Sequence, residues 1–204
     1  MIVARAPMTG GSMDVVTQTL ARRVRQEREA RGWSLAECAE RSGVSRAMIS
    51  KIERAEASPT AELLNRLATA LGLTLAAIFA DPEADADPAA TRLARRAAQG
   101  EWRDPATGYL RRTVTPPGAP GAKIVEVEFP AHGRVVFDTV ADIGIAQQVW
   151  MLEGEMELTL AGETHRLAAG DCLAMTLSQP VAFANPAGRP ARYAVVLARP
   201  EARR

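Results

Sequence analysis

The sequence predicts an α + β protein in two domains, a group of five short helices followed by an all-β domain. Apolar residues recur at helical spacing through residues 14–80. The stretch DPEADADP, Asp81 to Pro88, then brings two prolines, four acids and no large apolar residue, which is the composition of a linker. From Tyr109 the pattern changes to short runs rich in β-branched residues between Gly, Pro and Asn, as in a sandwich or small barrel. The expected boundaries are a disordered tail at 1–13, a helical domain at 14–80, a linker with a short helix at 81–101 and a β domain at 102–204.

The first helix is expected to be capped by Asp14, to bury Leu20 and Val24, and to stop at Gly32. Ser34 and Glu37 have the spacing of a capping box, in which each side chain bonds the other residue's amide. Leu35, Cys38 and Ala39 give that second helix an apolar face, and Gly43 ends it in the left-handed conformation. Ser45 caps a third helix whose buried stripe is Met48, Ile49 and Ile52. That leaves Arg46, Ala47, Ser50, Lys51 and Arg54 facing outward. A helix with a small and basic outer face after a glycine turn suits the DNA major groove. Spacing alone leaves open a plain helical hairpin with a solvated charged face.

Ser58-Pro59 starts a fourth helix with stripe Leu63, Leu64, Leu67 and Leu71, and Leu75 to Phe79 forms a fifth. Free amides at the fourth helix's N-terminus could hold a DNA phosphate, with Thr60 as a positioning contact. Ala89 to Ala98 has helical composition, its three arginines forming a solvated face.

From Leu20 to Phe79 the chain resembles the Xre/Cro-type helix-turn-helix family, through Arg28, Gly32, GVSRAMISKIER and SPTAELLNRLATALGLTLAAIF. The resemblance implies a five-helix, lambda-repressor-like DNA-binding domain in which Arg28 pairs with Glu53. It also implies base contacts from Arg46, Ala47 and Lys51, and phosphate contacts from Ser34, Ser45, Ser50, Arg54 and Thr60. One departure is Ala55, where the family usually has glycine.

The whole chain carries a net charge of +1, but Leu20 to Arg54 holds nine basic and five acidic residues. Such a local excess suits a protein that meets phosphate with one domain. Cys38 and Cys172 fall in different domains and are expected to be small core residues. No apolar run approaches the ~18 residues that cross a bilayer, and no signal peptide is evident, so a cytoplasmic protein is expected.

In the β domain, Leu152-Glu153-Gly154, Gly162, Gly170-Asp171, Pro180 and Asn185-Pro186 resemble the cupin family, a double-stranded β-helix barrel. Many cupins hold a metal through three histidines and a glutamate. The resemblance sets those positions at Ala141, Ile143, Gln147 and Val181, none a normal ligand for such an ion. No metal and no cofactor are therefore expected, and no catalytic residues. His132 and His165 are expected at the surface. Alternation places Gln147, Val149 and Met151 on the inner face with Val181 and Phe183, and Trp150 on the outer. This interior is either an effector pocket, with Gln147 and Arg112 or Arg134 as polar groups, or a filled core that only dimerises the protein.

Together the two resemblances imply a regulator that binds double-stranded DNA at a pseudo-palindromic operator as a homodimer joined by its cupin domain. A small-molecule effector would act through the barrel. Two other functions compete: an antitoxin-like or phage-repressor-like DNA binder with a protein partner, and a cupin enzyme using DNA binding for feedback.

Overall fold

The computed structural model describes residues 10–80, 92–138, 144–176 and 178–198. Five helices come first: α1 (Gly10–Ala30), α2 (Leu35–Ser42), α3 (Arg46–Glu53), α4 (Ala61–Ala70) and α5 (Leu75–Ile78). The first begins at Gly10, so Asp14 lies within the helix and is not its cap. Once Leu20 and Val24 anchor a helix in a core, extending it by a turn costs little, because propagation is far cheaper than nucleation. Ser34 and Ser45 cap α2 and α3 as expected. The fourth helix does not start at Ser58-Pro59: it begins at Ala61, because the Thr60 hydroxyl is the one that takes the Leu63 amide. Ser34, Ser45, Thr60 and Thr74 each accept a hydrogen bond from the amide three residues on.

Leu20, Val24, Cys38, Val44, Ile49, Ile52, Leu64, Leu67 and Ile78 meet in the helical core, each at 3% exposure or less. At about 1.5–3 kcal/mol for each large side chain fully buried, this stripe outweighs the weak intrinsic stability of eight-residue helices. Beneath the motif, Arg28 meets Glu53 edge-on, with Nε donating at 2.6 Å and Nη2 at 2.8 Å. Its Nη1 donates to the Trp33 carbonyl at 2.8 Å. That hydrogen bonding, Glu53 first, holds the Arg28 guanidinium above its ordinary pKa. The expected pair is present.

Residues 81–91 of the expected linker lie outside the described residues. Of the short helix expected up to Ala98, the described part contains a single 3-10 turn, Arg96–Ala98. Its RLARRAAQ composition lacks the apolar stripe that would anchor a full helix.

Ten strands follow: β1 (Glu101–Arg103), β2 (Leu110–Thr113), β3 (Lys123–Phe129), β4 (Arg134–Phe137), β5 (Ala146–Glu153), β6 (Glu155–Leu160), β7 (Glu163–Ala168), β8 (Cys172–Thr176), β9 (Val181–Ala184) and β10 (Ala191–Ala198). They form two antiparallel sheets, ordered β1-β2-β3-β10-β5-β8 and β4-β9-β6-β7. The expected hairpin is β6–β7, turning at Ala161-Gly162 with Met156 opposite Leu167 and Leu158 opposite His165. Inward residues of both sheets, among them Val127, Phe129, Val149, Met151, Leu158 and Phe183, fill the space between them. Cys38 is buried as expected, but Cys172 is exposed. It lies opposite Trp150 on the outer face of the first sheet, because strand register sets its parity. His132 is exposed, and His165 is half-buried, 3.8 Å from the Glu163 carboxylate.

The two domains pack on each other. Helix α1 lies against β1, and α4 against β4. The Phe79 ring meets Trp102 at 5.3 Å, and from there stacked and tilted rings run through Tyr109, Phe129, Tyr193 and Phe183 to Phe137.

Candidate nucleic-acid interface and effector cavity

The outer face of α3 is built from residues that the core cannot use. Ile49 and Ile52 take its inner face, which turns Arg46, Ala47 and Lys51 to solvent. With Ser34, Leu35 and Ala36 at the start of α2, the residues Arg46, Ala47, Ser50, Lys51 and Arg54 line one concave surface. All three candidate base readers are therefore on one face, beside the N-terminus of α2.

The candidate phosphate contacts are less uniform. The Ser34 hydroxyl accepts from the Glu37 amide at 3.2 Å, while the Ser34 amide donates to the Glu37 carboxylate at 2.7 Å. That backbone hydrogen bond pulls the Glu37 carboxyl below its ordinary pKa. Ser45 accepts from the Met48 amide at 3.2 Å. Arg54 is held by Glu56, with Nε and Nη2 donating at 2.8 and 2.7 Å, and its Nη1 donates to the Ser50 hydroxyl. A phosphate must compete with Glu56 for Arg54. Thr60 does not fit its expected role. The amide of Ala61, fully buried, donates at 2.9 Å to Asp104 of the β domain, so the α4 N-terminus is already occupied by a carboxylate. Asp104 is itself buried and also accepts from the Thr107 amide and hydroxyl, at 2.8 and 2.6 Å.

A cavity of about 90 Å³ lies between the barrel interior and the α4–α5 end of the helical domain. Of the expected pocket residues, Gln147, Val181 and Phe183 line it. Val149 and Met151 point inward too, but are packed into the core at 0% and 1% exposure. Neither arginine expected as a polar group of this pocket lines it. Arg112 points out of the barrel, where it donates to Gln99 and Glu126 and lies 3.7 Å from Glu101. Arg134 is exposed on β4, with the opposite parity to the inward Val135. The arginine that lines the cavity is Arg111, paired in register with Trp102 and Val127. The consecutive arginines of LRRT share one strand, so one must face in; alternation from Tyr109 was the available signal.

Of the four metal positions implied by the cupin resemblance, Ala141 and Ile143 lie outside the described residues. At the other two, Val181 has no donor atom, and the Gln147 amide donates to the Met175 sulfur at 3.8 Å. Among the described residues, no three His, Cys, Asp or Glu side chains converge. The residues present do not fit a metal of that type.

Fold and surface together define the class: a helix-turn-helix DNA-binding transcriptional regulator with a C-terminal domain of two antiparallel β-sheets. Residues 24–78 match the family model described as Helix-turn-helix. The chain is 29% identical over 160 residues to the HTH-type transcriptional regulator SutR of Escherichia coli (strain K12), covering 78% of this chain and 83% of that one. It is 29% identical over 171 residues to the HTH-type transcriptional regulator PuuR of the same organism, covering 80% and 86%. A solved structure of an HTH_3 family transcriptional regulator from Vibrio cholerae shares the fold. Its TM-score is 0.69 at 24% identity, across 92% of this chain and 99% of that one.

Proposed function

We propose that the protein binds a pseudo-palindromic DNA operator as a homodimer and responds to a small molecule held by its β domain, acting in the cytoplasm without catalysing a reaction. The observation that carries this is the concave surface joining the start of α2 to Arg46, Ala47, Ser50, Lys51 and Arg54. Arg46 and Lys51 can each donate to guanine O6 and N7, and Ala47 can pack on a thymine methyl. Ser34, Ser45, Ser50 and Arg54 stand on the phosphate side. One such helix reads too few base pairs for useful specificity, so two are needed, about 34 Å apart on one face of the duplex. Thr60 leaves the phosphate set, because Asp104 holds the amide that a phosphate would use.

The test starts from an operator selected in vitro from random duplexes. Arg46→Ala should cost about 1–3 kcal/mol on that operator and relax preference at one base position. Arg54→Ala should weaken every sequence alike and reduce the salt slope by at most about 1, because Glu56 already neutralises part of its charge. Equal losses for both variants on selected and scrambled DNA would show that Arg46 is not a reader.

A further inference from the structure

The aromatic and apolar walls of the inter-domain cavity surround one charged group. Tyr109, Phe183 and Tyr193 come from the barrel, and Thr69, Leu73 and Thr74 from the helical domain. Arg111 is the single charged side chain on the lining among the described residues. It is 8% exposed, and its Nε and Nη2 are buried with no hydrogen-bond partner among the described residues. The guanidinium carbon lies 4.9 Å from the centroid of the Phe79 ring. Cation–π attraction offsets part of the desolvation but satisfies no N–H.

Another arginine in the chain shows what such a group takes when it is satisfied. Arg28 uses its Nε and Nη2 together to hold both oxygens of Glu53. Arg111 has the same two donors and, among the described residues, no carboxylate on them. Buried guanidinium groups are paired in proteins because an uncompensated charge in a low-dielectric interior is costly. Burial pulls the Arg111 pKa down to about 10, so it remains a cation at neutral pH. Burial also pushes the Tyr109 and Tyr193 hydroxyls up, which keeps both phenols neutral.

We propose that this cavity is the effector site, that its ligand is a short-chain organic carboxylate, and that Arg111 is the group that binds the carboxylate. This rests on the reading of the protein as a ligand-responsive regulator and names the ligand class. Size restricts the ligand, since about 90 Å³ is room for roughly three water-sized groups. The walls select an apolar body, and the lone cation rejects amines. Access is through the larger cleft of about 670 Å³ between the domains, which shares Thr74, Ala76, Arg111 and Leu197 with the cavity. Because Thr69, Leu73 and Thr74 form part of the wall, an occupant touches the α4–α5 connection directly. Arg111 also contacts Phe79, the C-cap of α5, so drawing the guanidinium onto a carboxylate alters the packing of the helical domain on the barrel.

The test is calorimetric titration of the full-length protein with acetate, propionate, butyrate and pyruvate, beside propionamide, butyramide and butylamine. At least one acid should bind saturably, and its amide or amine counterpart at least about tenfold more weakly. Arg111→Met should lose at least about tenfold in affinity for that acid, with Arg111→Lys between the two. Ligand-free Arg111→Met should melt no lower than the unsubstituted protein, since it removes an uncompensated buried charge, so its loss of binding is not a loss of folding. No binding by any of the four acids, or equal binding by Arg111→Met, overturns the assignment. If butylamine or an amide alters operator affinity equally in both proteins, the Arg111 anchor is wrong while ligand response stands. If an acid binds through Arg111 and operator affinity is unchanged at saturation, the site stands and the regulatory reading falls.

Discussion

Ala55 has a φ of 56°, in the left-handed region where a side chain is strained. It takes that conformation because the end of α3 closes as a Schellman turn, with the Ala55 amide donating to the Ile52 carbonyl and the Glu56 amide to the Lys51 carbonyl, both at 2.9 Å. The conformation costs an L-residue about 1–2 kcal/mol, of which glycine's extra freedom in the unfolded chain returns part. Ala55→Gly should therefore stabilise the protein by about 0.5–1 kcal/mol, read as a higher urea midpoint at unchanged slope. The sequence showed the missing glycine but not the geometry; hydrogen bonding in the turn imposes that geometry whichever residue is present. Arg111 and Arg112 show the same limit in a strand. Adjacent residues of one type differ only by parity, and the Arg111–Val127 register decides which one faces the cavity.

Helices α2 and α3 were legible because their signals are local: a capping hydroxyl, a 3.6-residue stripe and a glycine or turn at the end. The start of α4 was not, because Ser58 and Thr60 are both capping residues and only the fold decides which one takes the role. In α2 the local signal also makes a pH prediction. The Ser34 amide and hydroxyl hold the Glu37 carboxyl below its ordinary value of 4.5. A carboxyl with a depressed folded pKa contributes stability that is present above the unfolded value and lost as pH falls through the folded one. Glu37→Gln keeps a capping-box side chain but does not titrate. On moving from pH 7 to pH 3, the unsubstituted protein should lose more of its melting temperature than Glu37→Gln does. Parallel losses would show that this carboxylate carries no pH-dependent stability. The N-terminal extent of α1 was not legible, because propagation from an anchored helix needs no cap to mark where it starts.

Across the whole molecule, the helical domain is not tethered loosely to the barrel. Asp104 caps α4 from the β1–β2 turn, and Phe79 and Trp102 join the two cores. A change inside the barrel therefore reaches the helices through a packed route. The outer face of the six-stranded sheet carries Trp150 at 50% exposure and Ile124 at 38%, both on strands flanking β10. Large aromatics half-exposed on a sheet face are common anchors of interfaces between copies. If this face makes the proposed homodimer, Trp150→Asp should yield a monomer by sedimentation and weaken operator binding much more than binding to a half-site. A dimer that survives Trp150→Asp would place the interface elsewhere.

The sequence by itself determined the two-domain order, the helix-turn-helix with its exposed basic residues, the Arg28–Glu53 pair through family resemblance, and an all-β second domain. Each depends on residue type at short spacing or on a motif read as a unit. Tertiary structure decided what lies far apart in the chain: that Asp104 occupies the α4 N-terminus, that Cys172 faces out, and that Arg111 lines a cavity shared by both domains. Strand register and domain packing fix these, since a one-residue shift turns every side chain to the other face, and composition does not reveal which face is which.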